Sequence, residues 1–154
     1  MLSVAKKPIG TIILVDARGF KEPHGQRPAT HHIGTYYQNL RDIIRHRDFL
    51  LGWPPLMMRL RDELLSNDTM RPLIVAFYCK SGKHRSVGLA WALTQILRRE
   101  HDWNVELWHT MREYWHIGPC RECDECATDT PEKLALLASC PGLGLLQEPA
   151  RSSQ

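Results

Sequence analysis

Leu73-Ile74-Val75-Ala76-Phe77-Tyr78-Cys79-Lys80-Ser81-Gly82-Lys83-His84-Arg85-Ser86-Val87 decides the fold. Its first six residues are apolar and rich in β-branched and aromatic types, which suits a buried strand. The apolar-rich segment Val87 to Leu97 has helical length and no proline. The polar octet Cys79 to Ser86 therefore joins a strand to a helix. At such a junction successive N–H groups point outward and the helix dipole is positive, so an anion belongs there.

The octet reads Cys-x-x-Gly-x-x-Arg-Ser, a pattern that can wrap backbone amides round a phosphate-sized oxyanion. Gly82 permits a positive φ or a close approach. Arg85 can grip two oxygens. Ser86 can cap the helix or hydrogen-bond the Cys79 sulfur. Cys79, at the base beside Arg85 and the helix start, has surroundings that lower a thiol pKa. Lys80, Ser81, Lys83 and His84 complete the cradle. A structural turn with a buried cysteine is the plainer alternative.

Working outward, Thr11 to Val15 reads as a first buried strand, with Asp16 and Arg18 leaving its end. Lys21 to Gly34 is a polar loop carrying Lys21, His24, Arg27, His31 and His32. Tyr36, Leu40, Ile43 and Ile44 keep helical spacing beneath a basic face. Gly52 to Pro55 should break that helix, and Leu56, Met57, Leu60 and Leu64 begin a second stripe. Val105 and Leu107 suggest a third strand ending near His109. The order predicts an α/β fold: a small parallel sheet flanked by helices, with a cysteine-rich, zinc-knuckle-like C-terminal extension. Asp16, Arg18, the octet and His109 would meet at the carboxyl edge of that sheet, where such folds bind ligands.

The chain has 154 residues, a formal charge of +3, eight histidines and five cysteines. Length suits one domain, and the modest charge does not by itself imply nucleic acid. No segment reaches membrane-span length, and Ile9 to Val15 is too short for a signal peptide. An odd cysteine count argues against a disulfide framework and for a reducing, cytoplasmic setting.

Cys120, Cys123 and Cys126 share a spacing that lets thiolates converge on one ion. Structural zinc takes four tetrahedral ligands. The fourth could be Cys140, His116 or His109; Cys140 is preferred because the short helix from Pro131 to Leu137, capped by Thr130, could return it. An iron–sulfur cluster is the second choice. Free surface thiols without metal are the plain alternative. The expected division is an α/β domain over 1–112, a metal-binding extension over 113–146 and a loose tail over 147–154.

Gly82-Lys83-His84-Arg85-Ser86-Val87 after an apolar strand resembles the RapZ C-terminal domain family, with its YvcJ-type relatives. Val15-Asp16-Ala17-Arg18-Gly19-Phe20 is similar to that family's Asp-x-Arg-Phe strand end, with a glycine inserted. Arg27-Pro28, Gly34 and Val105 to His109 fall in the right order, and the likeness covers about residues 10 to 112. The resemblance implies an α/β domain that binds a phosphorylated ligand, such as a phosphosugar, and contacts RNA. No Gly-x4-Gly-Lys-Ser/Thr loop occurs, so nucleotide hydrolysis of that kind is not implied. The octet is also similar to the loop of cysteine-dependent phosphatases. That likeness would make Cys79 the nucleophile and Arg85 the phosphate clamp; Asp16 is the candidate general acid. Tyr78 stands where those enzymes commonly have His. The expected partners are a phosphorylated small molecule or RNA, with no membrane and a protein partner left open. Arg18, Lys21, Arg27, Lys80, Lys83 and Arg112 form the candidate RNA rim.

Overall fold

The computed structural model describes residues 10–23, 31–66, 71–100, 103–115, 120 and 123–140. Two strands pair in parallel: β1 (Ile12–Asp16) and β2 (Ile74–Tyr78), in register from Ile12 opposite Ile74 to Asp16 opposite Tyr78. Parallel neighbours need a long crossover, and the chain between them holds α1 (Tyr37–Ile44) and α2 (Arg47–Ser66). β2 feeds α3 (Arg85–Glu100), which packs back on it. The C-terminal part adds α4 (Asp124–Ala127) and α5 (Pro131–Ala138), and α5 packs on α1 and α3. The sheet is thus small, parallel and flanked by helices, as the element order implies.

The core sits between sheet and helices. Ile13 and Val15 enter it from β1, Leu40, Ile43 and Ile44 from α1, Phe49, Trp53, Met57 and Leu60 from α2, and Leu89, Leu93 and Ile96 from α3. Only one face of β1 is buried, because Ile12 is 49% and Leu14 63% exposed. The fully buried strand expected from the apolar run is therefore half-buried among the described residues.

Two expected elements differ. Residues 105–109 form no strand ladder; Val105 and Leu107 still pack on the core as extended chain, with the Val105 carbonyl accepting from the Arg98 guanidinium. The predicted break at Gly52 to Pro55 is also missing. The chain turns earlier, at Arg45-His46, where Asp48 N donates to His46 Nδ1 at 3.1 Å. α2 then runs through Pro54 and Pro55. Each proline removes a helical hydrogen bond, at about 3 kcal/mol. The carbonyls so freed belong to Leu50 and Leu51, both exposed, so water can solvate them. Burial of Phe49, Trp53, Leu56, Met57 and Leu60 on the other face offsets the cost.

At the start of α5, Thr130 accepts from Lys133 N, with Pro131 in the first turn, as the sequence predicts. No helix of the described residues is long and apolar enough to cross a membrane.

Candidate functional site

The loop from Cys79 to Ser86 turns at Gly82, whose φ is +61°. That is the left-handed conformation the sequence assigned to glycine. Met111 packs over the turn: a Cβ on Gly82 would lie 2.8 Å from Met111 Cγ. The turn directs the loop inward. Cys79 Sγ lies 3.1 Å from Ser86 Oγ, and the backbone N–H groups of Ser86, Gly82 and Lys83 also hydrogen-bond the sulfur. Burial alone would push the thiol up; the Ser86 hydroxyl and the three amides outweigh it and hold Cys79 below its ordinary value. The loop thus gathers hydrogen-bond donors round the Cys79 sulfur at the start of α3. Lys80 and Ser81 are exposed at its tip, and Lys83 is half-buried.

Arg85 takes a different position from that of a simple clamp. Its Nε lies 2.7 Å from Glu22 Oε2, and Nη1 donates to the carbonyls of Arg18 at 3.1 Å and Phe20 at 3.3 Å. Glu22 also meets His84 Nδ1 at 2.6 Å. The Nε contact is an ion pair rather than an aligned hydrogen bond, since Nε–H has no acceptor in line. Arg85 therefore ties α3 to the turn after β1. Glu22 is absent from the sequence-derived site. Its only local signal is that it is an acid in a cation-rich loop.

Asp16 and Arg18 form a closed pair at the strand end. Arg18 Nε lies 2.8 Å and Nη2 2.7 Å from the two Asp16 oxygens, and Arg18 N donates to Oδ1 at 3.0 Å. The Arg18 side-chain and backbone hydrogen bonds hold the Asp16 carboxyl down at about 2. A general acid must carry its proton at the working pH, and Asp16 in this pairing carries none near neutrality. Arg18 itself is exposed and stacks its guanidinium 5.6 Å over the Tyr78 ring.

His109 lies one ring away from the loop. Its ring tilts on Trp115 at 5.3 Å, and Trp115 Nε1 donates to Gly82 O at 3.0 Å. Burial and then Arg112 lower its pKa, so it is neutral at physiological pH. On the loop's other side, Gly34 N donates to Lys83 O at 2.9 Å. The loop rests on these two braces as well as on the sheet.

The three clustered cysteines do come together. Cys120, Cys123 and Cys126 Sγ lie 3.5, 3.5 and 3.4 Å from one atom, His32 Nδ1. Cys120 and Cys126 Sγ are 3.9 Å apart. His32, Cys123 and Cys126 form a group that could hold a metal ion, their ligand atoms within 4.8 Å of one another. Cys140 lies elsewhere, in the main core with its Sγ 3.9 Å from Leu136 O, and burial pushes its thiol up to about 12. His109 packs on Trp115 instead, and His116 and Arg27 lie outside the described residues. His32 was noted in the sequence only as a loop cation.

These features describe an α/β domain organised round a strand–loop–helix turn that holds a hydrogen-bonded cysteine sulfur. The chain belongs to the RapZ C-terminal domain family, which its residues 5–113 match. No curated protein and no solved structure matches the chain. The loop, Glu22 and His32 all fall inside the matched span; Cys120, Cys123 and Cys126 fall beyond it.

Proposed function

We propose that the domain binds a phosphorylated ligand, a phosphosugar, a nucleotide or an RNA phosphate, in the Cys79–Ser86 loop. One observation carries this reading: the amides of Gly82, Lys83 and Ser86 and the Ser86 hydroxyl converge on the Cys79 sulfur at the start of α3, and the same donors could take a phosphate oxygen set against it. Membership of the RapZ C-terminal domain family supports it. Arg85 adjoins Ser86 in the chain, and would exchange its Glu22 partner for a phosphate oxygen. Arg18 and His109 stand at the rim.

Titration calorimetry with inorganic phosphate tests the reading. Charged hydrogen bonds contribute roughly 1.5–3 kcal/mol each, so Arg85→Ala should weaken binding about 10- to 100-fold. Arg85→Lys retains the charge without the fork and should fall between. Because Arg85 also braces the turn after β1, folding of each variant is checked by circular dichroism. Equal phosphate affinity in folded wild type and Arg85→Ala rules the site out.

A second reading is a cysteine-dependent phosphatase. The lowered Cys79 pKa and the adjacent Ser86 hydroxyl favour it; the paired, deprotonated Asp16 weighs against it. Binding without turnover is therefore the expectation, and robust aryl phosphate hydrolysis abolished by Cys79→Ser would reverse the order. RNA engagement through Arg18, Lys21, Arg27, Lys80, Lys83 and Arg112 predicts steep salt dependence, and no gel shift with structured RNA even at low salt would remove it.

The three clustered thiols are assigned to zinc ahead of an iron–sulfur cluster. The proposed division is a phosphate-binding domain over 1–112, a metal-binding extension over 113–146 and a tail over 147–154. A zinc-stabilised protein-interaction module is the remaining alternative. The reduced cysteines suit a cytoplasmic setting.

A further inference from the structure

Three sulfurs at nearly one distance from a single imidazole nitrogen need an explanation. A neutral ring Nδ1 has one lone pair and accepts one good hydrogen bond, so it cannot satisfy three thiols at once. A metal ion can. Zinc–sulfur bonds of about 2.3 Å and zinc–nitrogen bonds of about 2.0–2.1 Å set the edges of a tetrahedron at about 3.5 Å for N···S and about 3.8 Å for S···S. Four edges match, 3.4–3.5 Å from His32 Nδ1 to the three sulfurs and 3.9 Å between Cys120 and Cys126; the set whose ligand atoms all lie within 4.8 Å of one another is His32, Cys123 and Cys126, so Cys120 must draw in toward Cys123 when the ion binds.

The surroundings agree with a metal centre. Cys120 and Cys126 are buried and the His32 side chain is 13% exposed. The other ring nitrogen, His32 Nε2, faces Glu125 Oε2 at 4.0 Å, within ion-pair reach but not hydrogen-bonded. The His32 ring stacks on Tyr36 at 4.1 Å with 7° between planes. Lys133 Nζ donates to the carbonyls of Glu125, Cys126 and Thr128 at 2.5, 3.3 and 2.7 Å, fixing the backbone that presents two of the thiols.

We infer that His32 is the fourth ligand of a Cys3His zinc site with Cys120, Cys123 and Cys126, and that the ion clasps the C-terminal extension to the strut that braces the Cys79–Ser86 loop. Zinc(II) replaces three thiol protons, which leave to solvent, and takes the lone pair of neutral His32. The product carries one net negative charge. The strut is short: His32 is two residues from Gly34, whose N–H holds Lys83 O. The inference stands apart from the phosphate reading, since it rests on the thiols and His32 alone.

Full-length protein purified without chelators should carry about one zinc per chain. Cobalt(II) substitution should give the visible spectrum of a tetrahedral site with three sulfurs and one nitrogen. His32→Cys should keep the ion and move the spectrum to the four-sulfur type, which also shows that the variant folds. His32→Ala should weaken zinc in chelator competition by at least about 100-fold, more than loss of an outer partner costs. Cys140→Ala should change neither content nor spectrum. Zinc removal should speed hydrogen exchange at the amides of Gly34 and residues 81–85. A four-sulfur spectrum in wild type that Cys140→Ala destroys overturns the assignment. So does iron in place of zinc, or protein that takes up neither zinc nor cobalt. Unchanged exchange at Gly34 and 81–85 after zinc removal overturns the clasp.

Discussion

Gly34→Ala tests the strut on which both sites lean. A Cβ at Gly34 would stand 1.9 Å from His84 O, 2.6 Å from Gly88 N and 2.9 Å from His84 C. All three are backbone atoms in the first turn of α3 or just before it, so none can swing aside. Ordinary contact begins at 3.4 Å, so the strut must retreat by about 1.5 Å in an interior packed without slack. That retreat breaks the Gly34 N–Lys83 O hydrogen bond of 2.9 Å. The lost bond costs about 0.5–1.5 kcal/mol and the overpacking about 1–3 kcal/mol. The expected loss is about 2–4 kcal/mol, a large share of the roughly 5–15 kcal/mol that holds a domain. Metal affinity should fall as well, because His32 moves with Gly34 and ligand distances tolerate only about 0.2 Å.

Urea unfolding with a shared slope measures the first effect, and zinc competition the second. Gly88→Ala is the matched control. Its Cβ would meet Gly34 O and Ile43 Cδ1 only at 3.1 Å, and replacing glycine inside a helix returns up to about 1 kcal/mol. It should stay within about 1 kcal/mol of wild type. Gly34→Ala with wild-type stability, or Gly88→Ala losing as much as Gly34→Ala, would refute the close-approach argument.

Cys79 should react with iodoacetamide at neutral pH faster than a free thiol, and Ser86→Ala should slow it by removing one of the hydrogen bonds that lower its pKa. Because the native value is depressed, the thiolate's contribution to stability grows as pH rises from that value towards the ordinary 9.0 and is complete above it; the wild-type minus Cys79→Ser difference in urea midpoint, followed with pH, checks the sign. Lys133→Met leaves three backbone carbonyls without their donor in a site where Lys133 is 1% exposed, and should cost about 2–4 kcal/mol by thermal unfolding. A neutral outcome there would mean that the carbonyls find water.

What could be read from the sequence was local. The positive φ of Gly82, the Ser86–Cys79 contact and the Thr130 cap each follow from residues within a turn or two of one another. β1 and β2 were placed within a residue because apolar runs bounded by charge and glycine leave little choice. The missing strand at 105–109 marks the limit: alternation of Val105 and Leu107 reports a face on the core, which extended chain satisfies without ladder bonds. Pro54 and Pro55 misled for a related reason, since two lost hydrogen bonds are outweighed by tertiary burial that no window of sequence contains. The contacts of Glu22 and His32 could not be read from the sequence because their partners are distant, 62 residues away for His84 and 88 for Cys120. The three-cysteine spacing called for a fourth ligand and pointed along the chain, to Cys140; the side chain that meets all three thiols is His32, across the fold.

The family boundary turns His32 into a test that needs no mutagenesis. The match ends at residue 113, so His32 lies in the part shared with relatives while its three sulfur partners lie past it. Two explanations for a histidine at this position then predict different patterns. If His32 serves the shared domain, by stacking on Tyr36 or bracing the loop, relatives without the cysteine-rich extension should keep it. If it serves the ion, it has work only where Cys120, Cys123 and Cys126 exist. Gly34 gives the internal reference, because its close approach to His84 O lies wholly within the shared domain and should persist either way. The metal argument therefore expects histidine and the three cysteines to appear and vanish together across the family, with glycine two positions on present throughout. A census of family members settles it: cysteine-bearing relatives that lack this histidine, or histidine retained in most relatives that lack the cysteines, would remove His32 from the site.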